Sequence, residues 1–294
     1  MDVSGKIIAA AASLCALAAC DDAVSPRAAV ATPAFVYVSD HTGRERLYIY
    51  DRGSTTPFPA TLDGDADPQS AHGRIVFSGR RVSETRSEIY SAKLDGSDLR
   101  RLTTGALDIE PSMSPDGSAV AFVRLQAGVS RLWMVEADGS NPTPIATGSD
   151  SHTPESLPRF SPDGRALLFN SSRTGTSQLW QIPVEGGVAV QLTRETNGAF
   201  DGSWGADGSS VFFVAGLDLH TVHEIDARSG AATSFAVQGS TVAEPDCDAS
   251  LCLVATRTND SNGDIVAIGR SASSQPLPLV STTANEREPA ILHP

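Results

Sequence analysis

Short apolar runs ending in an aromatic ring recur along this chain, separated by polar breaks rich in glycine and proline. Phe35-Val36-Tyr37, Ile75-Val76-Phe77, Val120-Ala121-Phe122, Leu167-Leu168-Phe169 and Val211-Phe212-Phe213 form one column, and Leu253-Val254-Ala255 fills it without the ring. About 11 residues later a second column appears: Leu47-Tyr48, Ile89-Tyr90, Leu132-Trp133, Leu179-Trp180, Val222-His223 and Ile265-Val266. Runs of this length, apolar and β-branched and bounded by turn residues, read as strands. Ser114-Pro115-Asp116-Gly117 and Ser161-Pro162-Asp163-Gly164 precede the first column, with Gly205-Ala206-Asp207-Gly208 as a weaker copy. Proline pre-sets φ at the second turn position and glycine takes the tight exit, so each tetrapeptide joins two strands.

The repeat therefore predicts an all-β fold. Four short antiparallel strands per unit make one blade of a β-propeller. Six units of about 44 residues fill the span 33–294. A proline precedes the inner strand of most units (Pro68, Pro111, Pro158, Pro245, Pro289), with Gly202 in the fifth. The first unit lacks an inner strand and the last residues form one with no unit after it. The C-terminal strand is thus expected to complete blade 1 and close the ring, removing two exposed edges.

Pro158-Arg159-Phe160-Ser161-Pro162-Asp163-Gly164 followed by the apolar-Phe strand, the apolar-Trp strand and Leu192-Thr193 resembles the TolB-type, WD40-like propeller repeat. The resemblance covers nearly all of 33–294. It implies the propeller fold, and a partner-binding role only by analogy. The α/β domain that precedes the propeller in TolB itself has no counterpart here, so contacts belonging to that domain do not carry over.

The first residues read as an address. Ile7–Ala19 is a small, apolar run that as a helix spans about 20 Å, short of a ~30 Å hydrocarbon core. It reads as a signal peptide, residues 1–19. Leu17-Ala18-Ala19-Cys20 resembles the bacterial lipoprotein box, which implies lipidation at Cys20, followed by a tether through residue 32. Anchoring would be through this lipid alone, placing the chain in the bacterial cell envelope, periplasmic or surface-exposed. A net charge of −13 argues against a nucleic-acid partner. A monomer is expected.

Candidate chemistry follows from the repeat. The residue before the inner-strand proline is acidic in five units: Asp67, Glu110, Asp201, Glu244 and Glu288, with Leu157 breaking the series. These carboxylates are expected to ring one channel mouth. There they would hold a basic partner segment or, as a lesser alternative, a divalent cation; no other cofactor is expected. Arg80, Arg124, Arg173 and Arg257, which follow the first strand column, are expected on loops at the same mouth, paired with the ring or sharing its partner. His220 and His223 fall on a strand, on opposite faces, with His223 in the aromatic column. No HExxH, Gly-x-Ser-x-Gly or Gly-Lys phosphate loop occurs. A non-enzymatic scaffold binding a protein or peptide is the leading expectation. A carbohydrate-active or other hydrolase or lyase working at the mouth is the alternative. Cys247 and Cys252 flank Asp248–Leu251 where other units carry the Ser-Pro-Asp-Gly turn. A disulfide across that hairpin is expected outside the cytoplasm.

Overall fold

The computed structural model describes residues 32–293 apart from 82–83, 151, 217–220, 237–240, 258–261 and 271–274. Six four-stranded antiparallel sheets follow one another along the chain. We number them as blades, each counted from its inner strand. The inner strands are Glu286–Ile291 (blade 1), Asp63–Ala71 (blade 2), Leu107–Met113 (blade 3), Glu155–Phe160 (blade 4), Ala199–Trp204 (blade 5) and Thr241–Cys247 (blade 6). Blade 1 takes that strand from the C-terminus and its other three from Phe35–Ser39, Arg46–Asp51 and Ser54–Pro57. Phe35 lies opposite Ile291, and the Leu292 N–H donates to Ala34 O, so the last strand closes the ring as the repeat requires.

The aromatic column is the core. Phe77, Phe122, Phe169 and Phe213 are all essentially inaccessible, packed between neighbouring blades. Each pairs in register with the second column: Phe77 with Tyr90, Phe122 with Trp133, Phe169 with Trp180, Phe213 with His223. His223 stacks on Phe213 with centroids 5.2 Å apart, as Tyr90 does on Phe77 at 5.9 Å, so it serves as a ring in the packing. His220, Cys20 and the whole segment 1–31 lie outside the described residues.

The turns obey their residue types. The N–H groups of Gly117, Gly164 and Gly208 donate to the carbonyls three residues back. All three glycines sit near φ +70°, where a side chain is strained. Asp116 accepts from Ser114 Oγ and the Ser118 N–H, which holds its carboxyl at about 2, well below the usual value. In blade 6 Cys247 and Cys252 lie directly opposite and are joined, S–S 1.98 Å. Asp248 there accepts from the Ser250 and Leu251 N–H groups, doing the work of the absent Pro-Asp-Gly turn.

Candidate functional site: a carboxylate belt in the channel

Every inner strand carries an irregularity at the same place, and that of blade 2 has a second, between Asp63 and Ala66. Pairing with the next strand slips between Ala66 and Gln69, Ile109 and Ser112, Ser156 and Arg159, Phe200 and Ser203, and Ala243 and Asp246; in blade 1 it slips beside Glu288. The slipped residues are Asp67, Glu110, Leu157, Asp201, Glu244 and Glu288, each followed by proline or glycine. All six adopt left-handed backbone, φ between 50° and 54°. A bulge leaves its extra residue outside the ladder, so the missing proline N–H breaks no pairing there.

Left-handed backbone is unfavourable for residues other than glycine, by roughly 1–2 kcal/mol each. A second interaction offsets it. The bulge residue's N–H donates to the carboxylate one blade earlier. Asp67 N–H meets Glu288 Oε2 at 2.5 Å, Glu110 N–H meets Asp67 Oδ2 at 3.1 Å, and Leu157 N–H meets Glu110 Oε2 at 2.6 Å. Glu244 N–H meets Asp201 Oδ2 at 3.2 Å, and Glu288 N–H meets Glu244 Oε2 at 2.6 Å. Five of six blade junctions are stitched this way. The sixth, between Leu157 and Asp201, lacks a side-chain acceptor. The five acidic residues predicted from sequence are thus brought together, but as a belt in mid-strand and not as a rim at the mouth. The bulge, invisible in the spacing, sets that depth.

The predicted arginines do not serve this belt. Arg124 makes a two-pronged pair with Asp108, at 2.7 and 2.8 Å. Arg173 bonds Glu155 at 3.0 Å. Arg257 donates to Asn285, and Arg80 is exposed beside Gly64. The partners of the two paired arginines belong to a second column, two residues before the belt: Asp65, Asp108, Glu155 and Glu286, all at most 1% exposed. The repeat carried this column, and sequence reasoning passed over it because only four of six units are acidic there. Arg124 also lies over Trp133 and Arg173 over Trp180, each 4.6 Å from the ring centroid. Among the described residues Asp65 and Glu286 form no ion pair with an arginine, and each keeps one buried oxygen without a partner. Burial pushes the Asp65 carboxyl up to about 6 and raises Glu286.

The belt lines a cavity of about 220 Å³. A second cavity of about 370 Å³ lies toward the Ser-Pro-Asp-Gly turns and includes Met113, Phe160 and Trp204. Both are lined by Gln69, Arg159, Ser203 and Asp246, so they meet end to end along the channel. Across the two linings stand six carboxylates and one guanidinium, that of Arg159. Glu288 is additionally paired with Arg287. Burial, reinforced by Asp67, pushes Glu110 up to about 7; burial, reinforced by Asp201, does the same to Glu244. Asp201 and Asp246 are raised by burial as well. Among the described residues no group of three or more His, Cys, Asp or Glu side chains is arranged to hold a metal ion.

No family model matches the chain. Tol-Pal system protein TolB from two Francisella tularensis subspecies, tularensis (strain WY96-3418) and mediasiatica (strain FSC147), is 27% identical over 126 residues. That match spans 40% of this chain and 28% of those proteins, well under half their length. Among solved structures, TolB from Acinetobacter baumannii superposes with a TM-score of 0.73 at 21% identity, over 88% of this chain and 66% of that one. The Kuenenia stuttgartiensis hydrazine synthase reaches 0.71 at 13% identity, covering 88% and 46%. A puromycin hydrolase reaches 0.61 at 20%, covering 87% and 45%. Folds this widely shared do not carry one activity. With the repeat motif and the ring of blades, they make this chain a TolB-like six-bladed β-propeller.

Proposed function

We propose that this protein is a lipid-anchored, non-enzymatic scaffold of the bacterial cell envelope that binds a protein or peptide partner through its channel. The observation that carries the reading is the acidic lining there: six carboxyl groups, of which Glu288 is paired with Arg287, face the single lining guanidinium of Arg159. A narrow acidic channel with low-dielectric walls concentrates cationic groups. The belt lies inside the ring, so a flat partner surface cannot touch it. The partner reaches it with an extended segment, a terminus or loop, bearing lysine or arginine. The match to TolB of the Tol-Pal system supports an envelope setting, and the Leu17–Cys20 box supports the lipid.

The test is co-purification from detergent-solubilised membranes, wild type beside Glu110→Gln/Glu244→Gln/Glu288→Gln. Glutamine keeps an oxygen to accept the stitching N–H while removing charge. A protein held by wild type and lost from the folded variant supports the reading. Equal retention, or none by either, overturns it.

A further inference from the structure

Blade 4 departs from its neighbours twice. It places Leu157 where the others carry an acid, and two residues later it places Arg159 where the others carry Gln69, Ser112, Ser203, Asp246 and Ala290. The two departures are complementary, since one withholds a negative charge from the belt and the other delivers a positive one. The Arg159 backbone is fixed on both sides. Trp204 Nε1 donates to its carbonyl at 3.1 Å, and the next N–H, that of Phe160, donates to Ser112 Oγ at 3.1 Å. The guanidinium is held far less tightly. Its one hydrogen bond among the described residues runs to the neighbouring Pro158 carbonyl, at 3.0 Å, and it makes no ion pair there. It stands where the two cavities meet, in the combined field of Glu110, Asp67, Asp246 and Asp201.

We propose that Arg159 is a built-in counter-cation that occupies the channel in place of a ligand, and that a cationic ligand group reaches the belt by displacing it. This rests on the channel being the binding site. A guanidinium locked by a two-pronged pair, like that of Arg124, cannot serve as a gate. One that is buried but held only by its own neighbour's carbonyl and a diffuse field has no fixed ion pair to break before it moves. It offsets the negative charge of the carboxyl groups that Arg287 does not pair, and it sets a threshold. A single weak cation does not displace it, whereas a segment bringing cationic charge together with contacts in the turn-side cavity does.

The test uses spermidine as the probe, with calorimetry on the folded propeller. Arg159→Gln is expected to bind spermidine at least tenfold more tightly than wild type, and Arg159→Lys to stay within about threefold of it. Adding Glu110→Gln/Glu244→Gln to Arg159→Gln is expected to abolish the gain, which places it in the channel and not on the acidic surface. Equal affinity in wild type and Arg159→Gln, or a gain that survives loss of the two glutamates, overturns the proposal. Should Arg159→Gln fail to fold, wild type decides alone. The Arg159 Nε–H resonance is expected to shift with spermidine occupancy, and an unmoved resonance at saturation overturns the gate. Co-purification separates the two readings. A partner lost from the triple glutamine variant, with spermidine affinity indifferent to Arg159, removes the gate and keeps the scaffold. Tighter spermidine binding by Arg159→Gln with no partner retained removes the scaffold and keeps the gate.

Discussion

Arg124→Met tests the second column of carboxylates, the part of the molecule that the sequence left unread. Asp108 is fully buried, and the Arg124 side chain is 12% exposed, joined to it by two charge-assisted bonds. Methionine keeps much of the aliphatic contact with Phe122 and Trp133 and removes the charge. Breaking a buried pair by removing one partner costs about 3–5 kcal/mol, because the other charge stays buried without compensation. The cation–π contact contributes on the order of 1 kcal/mol within that range. We therefore expect a loss of about 4 kcal/mol. For a domain this size a kcal/mol corresponds to roughly 2–4 °C, so Tm should fall by about 8–16 °C. The assay is equilibrium urea unfolding followed by tryptophan fluorescence and far-ultraviolet circular dichroism, with coincident transitions required before a free energy is taken. Asp108→Leu in the Arg124→Met background should recover most of the loss, since an apolar replacement of a whole buried pair is often neutral. The internal control is Arg44→Met. Arg44 also pairs with an aspartate, Asp63, at 2.6 Å, but its side chain is 61% exposed, and such surface pairs contribute about 0–1 kcal/mol. If Arg124→Met loses no more than Arg44→Met, or if Asp108→Leu deepens the loss, the second column is not a buried electrostatic clamp and the reasoning fails.

Stability should peak in mildly acid solution. Glu110 and Glu244 sit at about 7 in the fold against 4.5 unfolded. The folded state therefore holds the extra protons, and stability falls as pH rises from about 4.5 to 7. Asp116, held down at about 2, acts in the opposite sense and is lost as pH drops below the unfolded value. Thermal melts against pH should show this dome, and Glu110→Gln/Glu244→Gln should flatten its neutral side; a profile rising from pH 5 to 7 would contradict it. Leu157→Asn supplies both an acceptor for the Asp201 N–H and a residue suited to left-handed backbone, so it should stabilise by about 1 kcal/mol in urea unfolding. An unchanged or lowered midpoint would show that the sixth junction gains nothing from its stitch. Replacing both Cys247 and Cys252 by serine should cost about 2 kcal/mol, the chain-entropy value for so short a loop, read as a Tm drop of roughly 4–8 °C. Deleting residues 288–294 removes the strand opposite Phe35 and the acceptor of the Asp67 N–H. Limited proteolysis should then attack blade 1 first, and a deletion as resistant as wild type would argue against closure by this strand.

The blade count, the closing strand and the aromatic core were legible because each rests on a residue column that repeats with the fold. His223 is instructive. Its spacing from His220 would suit a ligand pair only on a helix; on a strand its place in the column says ring, and it stacks on Phe213. The belt was legible in membership and misjudged in depth. Acid-before-proline repeats visibly, but nothing in the spacing tells that this pair sits on a bulge, several residues into the strand. The arginine pairings were misread for a related reason. Arg124 and Arg173 follow the aromatic strand in the expected way. Their partners, however, are fixed by strand register, which sets Asp108 opposite Arg124 and Glu155 opposite Ser171, the residue that also accepts from Arg173. Register across a bulge is a property of the folded pair and not of either strand.

The belt's two duties pull against each other, and that tension links ring closure to ligand binding. As hydrogen-bond acceptors the carboxylates hold blade to blade, and they accept best when ionised. Buried in the channel wall and, secondarily, crowded by like charge, Glu110 and Glu244 resist ionisation at neutral pH. A cation in the channel relieves the repulsion, lowers those pKa values and strengthens the stitches together. Any ligand that binds this way must therefore stabilise the closed ring, by an amount set by its concentration over its dissociation constant. It must also release protons near neutral pH, so its affinity should rise between about pH 6 and 8. A partner that binds without raising Tm and without this pH dependence engages another surface of the propeller, whatever its charge.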